Sequence, residues 1–319
     1  MFGSNFNLDS CVESTMEVAA YAYFWPTYAT GAFCVASYLI FTKLVLYVVC
    51  LCLYYLVPRP IMEDAVRHII EFFRELFSGG VSKIEKNIRK TFQIHVKHPI
   101  PKKSINVWHP HGLLAITPGI HNSYRITGKD YTPTKFAVAN IFHLFPFVRD
   151  WMRITHTVSA DYSEIKKTLE SDSVSIVLGG AKEMYLSSGK NLKLVIKERT
   201  GVFRLALESG TPLVPIMTYG ESELFPTLDN PLYSCFREFL YDVWKIPMPI
   251  PTMESVRNWL SLWDGPLPTV NTYTGKPIIT KKIVNPTQSQ IDALRWLYIR
   301  RVKELFVATN NGEYTLEIT

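Results

Sequence analysis

Between Val18 and Val57 the only fully charged side chain is Lys43. About 20 apolar residues cross a bilayer, so this run is long enough for one long tilted helix or for two short ones. Pro26 and Gly31 can interrupt its first half, and Lys43 can snorkel towards the headgroups near a turn. Asp9, Glu13 and Glu17 stand where a cleavable leader would carry positive charge, so a signal peptide fits poorly. Basic residues follow instead, at Arg59, Arg67, Arg74 and Lys83, and the positive-inside rule then leaves the remainder of the chain in the cytosol. Residues 1–60 are therefore expected to form a membrane anchor, a single transmembrane helix or a hairpin, ahead of one globular domain over residues 61–319.

Charge and cysteine content exclude other classes. Lys and Arg exceed Asp and Glu by 34 to 28 among 319 residues, too diffuse an excess to argue for nucleic acid. Of the five cysteines, Cys11, Cys34, Cys50 and Cys52 lie at or inside the apolar stretch, where they read as packing residues and not as a disulfide or metal framework. No metal is expected. Met62, Val66, Ile69, Ile70, Phe73 and Leu76 recur at helical spacing opposite Glu63, Asp64, Arg67, Glu71, Arg74 and Glu75, which predicts an amphipathic helix ending at Ser78-Gly79-Gly80.

Beyond residue 100 short apolar runs alternate with helical patterns. Strands are expected at Ile105–Trp108, Thr134–Val138, Ile154–Val158, Val174–Leu178 and Leu213–Thr218. Helices are expected at Ser163–Ser171, at Thr200–Ser209 closed by Gly210, and from the capping box Thr287–Gln290 to about Ala308. The Pro-rich stretches at Pro247–Pro251 and Asp264–Pro268 read as loops around an insertion. Such alternation predicts an α/β fold, a sheet with flanking helices, whose chemistry sits at the C-terminal ends of strands.

Three segments fall at such ends. His109-Pro110-His111-Gly112 holds two imidazoles on a tight turn, and a neutral imidazole can take the proton of an attacking hydroxyl. Gly179-Gly180-Ala181-Lys182-Glu183 offers a close backbone approach for an oxyanion or a phosphate, with a carboxylate beside it. Arg199 to Glu221 carries Gly201 and Arg204 at a helix start, suited to a phosphorylated ligand, and ends in a carboxylate after a strand. A nucleophile elbow fails at Gly220-Glu221-Ser222-Glu223-Leu224, whose last position is not Gly. His156 and Asp161 have the H-x-x-x-x-D spacing of glycerolipid acyltransferases, but Asp161 more naturally caps the helix after it.

In order and separation these three segments resemble the diacylglycerol acyltransferase type 2 family, which includes monoacylglycerol and wax-alcohol acyltransferases. His109-Pro110-His111-Gly112 matches its HPHG signature, Gly179-Gly180-Ala181 with Glu183 its GGA-x-E stretch, and Arg199 to Glu221 its R-x-G-F, LVP and GE block. Similarity continues over Gly275-Lys276-Pro277-Ile278 and the Asn285-Pro286-Thr287-Gln288 entry to the last helix. Val202 and Phe203 are exchanged relative to the family's order, and Lys182 replaces a small residue.

The resemblance implies a glycerolipid-acyltransferase-like mixed sheet, an endoplasmic reticulum membrane location, and direct O-acyl transfer from long-chain acyl-CoA. Acyl-CoA is then a substrate and no cofactor is needed. The acceptor is first diacylglycerol, giving triacylglycerol, and in second place a monoacylglycerol or a wax alcohol. His109 is favoured as the base with His111 as its structural partner. Glu183 or Glu221 would stabilise the imidazolium. Backbone N–H groups near Gly112, Gly179 and Gly180 would hold the oxyanion, and Arg199 and Arg204 with Gly201 the CoA phosphates. A membrane lipid-binding protein without catalysis is the alternative, and homo-oligomerisation is left open.

Overall fold

A computed structural model describes residues 58, 60–61, 64–65, 67–69, 72, 78–113, 115–123, 131–132, 134–140, 156–186, 189–228, 230–244, 249–262 and 265–319. The apolar run at 18–57 lies outside the described residues, and among those described no helix is long and apolar enough to cross a membrane. Most of the amphipathic stripe at 62–76 also lies outside them; Ile69, within them, is exposed. Ser78-Gly79-Gly80 does not end a helix but forms the first turn of α1 (Ser78–Thr91). Glycine costs about 1 kcal/mol relative to alanine in a helix, so the pair weakens this first turn without forbidding it.

The strand after α1, β1 (Phe92–Val96), lies at one end of a sheet that has seven strands among the described residues. The other members are β2 (Ile105–His109), β3 (Lys135–Val138), β4 (Thr157–Ser159), β5 (Val174–Val177), β7 (Leu213–Tyr219) and β8 (Val270–Thr274). Their spatial order is β1-β8-β7-β2-β5-β3-β4; all neighbours are parallel except the antiparallel β7–β8 pair, so the sheet is mixed as expected. A second, two-stranded parallel sheet joins β6 (Asn191–Leu194) to β9 (Thr315–Ile318).

The connecting helices are α2 (Ile116–Ser123), α3 (Tyr162–Ser171), α4 (Gly180–Leu186), α5 (Gly201–Ser209), α6 (Glu221–Leu224), α7 (Pro231–Trp244), α8 (Met253–Ser261) and α9 (Gln288–Thr309). Strands β1, β6, β8 and β9 and helices α7 and α8 are not among the elements expected from sequence; the four strands are only four or five residues long, although β1, β6 and β9 do alternate apolar with polar residues. Asp161 is the N-cap of α3, although its side chain makes no capping hydrogen bond. The Thr287 capping box is complete: its hydroxyl accepts from the Gln290 amide at 3.3 Å, and the Gln290 side chain accepts from the Thr287 amide at 2.9 Å.

Pro215 stands inside the central strand β7, where a missing N–H would break a regular ladder. The antiparallel ladder to β8 ends one residue later, at Ile216–Thr274, and resumes at Leu213–Ile278 after the Gly275 amide has bonded the Pro215 carbonyl at 2.8 Å. The proline therefore occupies a bulge.

Strand parity divides the core. Ile105 and Val107 face a cluster containing Phe203 of α5 and Ile291, Leu294, Tyr298, Val302 and Leu305 of α9, whose spacing of three and four is one helical face. Trp108, one residue out of phase, packs on the opposite side with Tyr131, Val214 and Ile216. His109 has the parity of Ile105 and Val107, which turns its ring towards α9.

Candidate active site

Strands β5 and β7 flank β2 in the sheet and run parallel to it, so the three sequence segments that follow them meet at one edge. His109 ends β2, Gly179 and Gly180 follow β5, and Gly220-Glu221 follows β7. Adjacency in the sheet thus gathers side chains more than a hundred residues apart.

The peptide bond between His109 and Pro110 is cis, and Gly112 has φ +60°. His109 is fully buried. Its Nε2 lies 2.9 Å from the Tyr298 hydroxyl, and its Nδ1 lies 3.5 Å from Glu183 Oε1. Glu183, in the first turn of α4, is equally buried, and its other oxygen accepts the Val195 amide at 3.1 Å. Apart from each other, His109 Nδ1 and Glu183 Oε1 have no partner among the described residues.

His111 is only half-buried. Its Nδ1 donates to the Gly112 carbonyl at 3.1 Å, which leaves Nε2 as the unprotonated nitrogen of the neutral ring. Burial holds the His111 imidazole below its ordinary value of 6.5, against the opposing pull of the Gly112 carbonyl and of the Glu183 charge. The ring is therefore neutral, and able to accept a proton, at pH 7.

Glu221 points back under the turn. Its two oxygens accept the Ile116 and Thr117 amides at 3.1 and 3.2 Å, at the start of α2. Burial pushes this carboxyl up to about 7, although the hydrogen bonds from Thr117 and Ile116 oppose the shift. A side chain at Gly112 would overlap the Glu221 carboxylate, and one at Gly179 would overlap Glu183. Each glycine is thus where a carboxylate needs room.

The basic candidates separate. Arg199 donates to the Gly179 carbonyl at 2.7 Å, so its guanidinium braces the glycine turn. Gly201 and Arg204 are exposed on the first turn of α5, and Arg204 lies close enough to Glu208 and Tyr162 to affect their titration. Neither is brought against the histidines. Nothing in its sequence context singles out Tyr298: it occupies one position of the apolar stripe of α9, and only its hydroxyl, which a buried site obliges to find a partner, marks it.

A crevice of about 60 Å³ opens beside Gly112, between Leu113, Met184, Ser222 and Phe225. A larger polar cavity of about 620 Å³, among Lys102, Ser104, Lys135, His156 and Ser173, lies at the opposite, N-terminal ends of β2, β3 and β5 and does not include the histidine turn. Among the described residues no three His, Cys, Asp or Glu side chains converge as a metal site.

The 2-acylglycerol O-acyltransferase 1 of Mus musculus is 29% identical over 223 residues, covering 65% of this chain and 65% of that protein. The diacylglycerol O-acyltransferase 1 of Schizosaccharomyces pombe is 30% identical over 221 residues, covering 64% of this chain and 62% of that protein. The chain thus spans just under two thirds of the length of these relatives. A solved structure, the 1-acyl-sn-glycerophosphate (LPA) acyltransferase PlsC from Thermotoga maritima, is similar at a TM-score of 0.43 and 13% identity, over 94% of this chain and 98% of that one. The sequence model of the family described as diacylglycerol acyltransferase matches residues 37–316, most of the chain and all three motifs, and the protein belongs to that family.

Proposed function

We propose that the protein is an acyl-CoA-dependent O-acyltransferase that esterifies a neutral lipid alcohol, with diacylglycerol as the first acceptor and triacylglycerol as the product. The observation that carries this reading is the half-buried, neutral His111 on the HPHG turn, in a chain of the diacylglycerol acyltransferase family. His111 Nε2 takes the proton of the acceptor hydroxyl. The oxygen attacks the thioester carbonyl, a C–O bond forms as the C–S bond breaks, and the proton passes from the imidazolium to the departing sulfur of CoA.

This order of roles reverses the one favoured from sequence, where His109 was the base. The Tyr298 contact at Nε2 and the Glu183 contact at Nδ1 leave His109 no lone pair open to substrate, whereas His111 has one. Glu183 stabilises the imidazolium of His111 through its charge, and Glu221 holds the turn. Backbone amides at Gly112, Gly179 and Gly180 are the oxyanion donors. Arg199 keeps the glycine turn in place, and Arg204 with Gly201 meets the CoA phosphates.

The same reading makes residues 1–60 the membrane anchor and residues 61–319 the acyltransferase domain, on the cytosolic side of the endoplasmic reticulum. Its support is the apolar run at 18–57 and the basic residues after it. Membranes containing the protein, incubated with labelled oleoyl-CoA and in turn with diacylglycerol, monoacylglycerol and a long-chain alcohol, test the function. Labelled triacylglycerol as the main product is expected, and no labelled ester from any acceptor would refute the proposal. Protease protection of tags at both ends in intact microsomes tests the topology, with an accessible C-terminal tag expected.

A further inference from the structure

Tyr298 lies far from every motif in sequence, yet among the described residues its hydroxyl has a single hydrogen-bond partner, His109 Nε2 at 2.9 Å. Both side chains are fully buried, so neither exchanges that contact for water. With a neutral His109 ring two proton arrangements are open to the pair, and the surroundings separate them. If Nε2 carried the proton and donated to Tyr298, the tyrosine proton would have no acceptor. The lone pair of Nδ1 would then face Glu183 Oε1 at 3.5 Å, and that oxygen has no other partner. If the tyrosine donates to Nε2, Nδ1 carries the proton and directs it at the carboxylate. Every polar atom of the cluster is then matched with an opposite one. Burial and the charge of Glu183 keep the Tyr298 hydroxyl protonated well beyond its ordinary range, so it remains a donor.

We infer that Tyr298 is a positioning residue of the acyltransferase, whose hydroxyl, by donating to His109 Nε2, locks His109 in the Nδ1–H form against Glu183 and so fixes the Pro110 turn that presents His111. This inference rests on the proposed function for the step in which His111 acts, but the lock itself does not. Phe203, whose ring centroid lies 5.4 Å from that of Tyr298, backs the tyrosine from α5. The last helix of the domain thereby reaches the catalytic turn through one hydrogen bond, and the Phe203 position, exchanged with Val202 relative to the family's order, bears on the same ring.

Solid-state ¹⁵N spectra of the full chain labelled at histidine and embedded in lipid read the His109 tautomer directly, with His109→Gln identifying its signals. The expected result is a protonated Nδ1 and an unprotonated Nε2. In Tyr298→Phe, which keeps the ring and removes only the donor, that single form gives way to a mixture of tautomers. The same variant is expected to lower kcat about tenfold, the factor that one neutral hydrogen bond of about 1.4 kcal/mol supplies. KM for acyl-CoA stays within about twofold, because no substrate contact is lost. A merely structural tyrosine would lower the amount of folded enzyme and leave the tautomer and the kcat of the folded fraction unchanged, which would overturn the inference. So would a proton on Nε2 in the parent protein, and that reading decides the matter if Tyr298→Phe does not fold. A parent protein that shows the Nδ1–H form but transfers no acyl group to any alcohol would refute the proposed function and leave the lock standing.

Discussion

The Glu221 carboxylate occupies the space into which a side chain at Gly112 would project. Because Glu221 also accepts the first two amides of α2, the turn bearing His111, the helix after it and the end of β7 are tied at one buried carboxyl. Gly112→Ala meets both this overlap and a left-handed φ of +60°. It should destabilise the protein by roughly 1–3 kcal/mol and reduce acyl transfer even in the folded fraction. Thermal unfolding alongside activity per folded molecule checks this.

The two histidines should fail differently. On the proposed mechanism His111→Gln removes the base from a half-buried site, so kcat should fall by at least ~10²-fold with little change in the unfolding midpoint. His109→Gln breaks a fully buried cluster, so it should cost stability as well, and part of its activity loss should follow the loss of folded protein. Equal midpoints for the two variants would contradict this division.

Glu221 also sets a sign for stability against pH. Its carboxyl titrates near 7 in the folded protein and near the ordinary 4.5 when unfolded, so the native state holds the proton more tightly. That contribution is fully present below about 4.5 and is lost as pH rises towards 7. The unfolding free energy of the parent protein relative to Glu221→Gln should therefore decline across this window, by up to about 3 kcal/mol. Denaturant titrations at several pH values measure it, and a flat difference would exclude the raised carboxyl.

His121 gives the opposite trend. It is buried against Trp108, with ring centroids 5.8 Å apart and neither nitrogen partnered among the described residues, and burial lowers it to about 3. The unfolded chain protonates first, near 6.5, so this site costs stability progressively as pH falls from 6.5 to about 3, on the order of 5 kcal/mol in full. His121→Phe keeps the stacking and removes the charge, and its acid unfolding should begin at a lower pH than that of the parent.

Arg204 is exposed on the first turn of α5. Arg204→Ala should raise KM for acyl-CoA several-fold with little effect on kcat, as expected when a contact to a remote phosphate is equally strong in the ground and transition states. Initial rates over a range of acyl-CoA concentrations distinguish this from a loss in kcat.

Much of this protein follows from local sequence alone. The alternation of apolar runs at Ile105, Val174 and Leu213 with the helices at Tyr162, Gly201 and Gln288 is local in origin, and so are the Gly210 C-cap and the Thr287 capping box, because each depends on neighbours a few residues away. The histidine turn, the glycine pair and Glu221 stand out for the same reason: polar groups placed where a buried strand stops. Tertiary structure decided how they are used. Only the placement of β2 between β5 and β7 brings Glu183 and Glu221 to the histidine turn, and no local pattern contains a strand order. Only strand parity combined with the docking of α9 buries His109 against Tyr298 and leaves the outer histidine open. The hydroxyl that meets His109 comes from 189 residues away, and no local pattern reveals it, because a buried ring takes its partners from its three-dimensional neighbours.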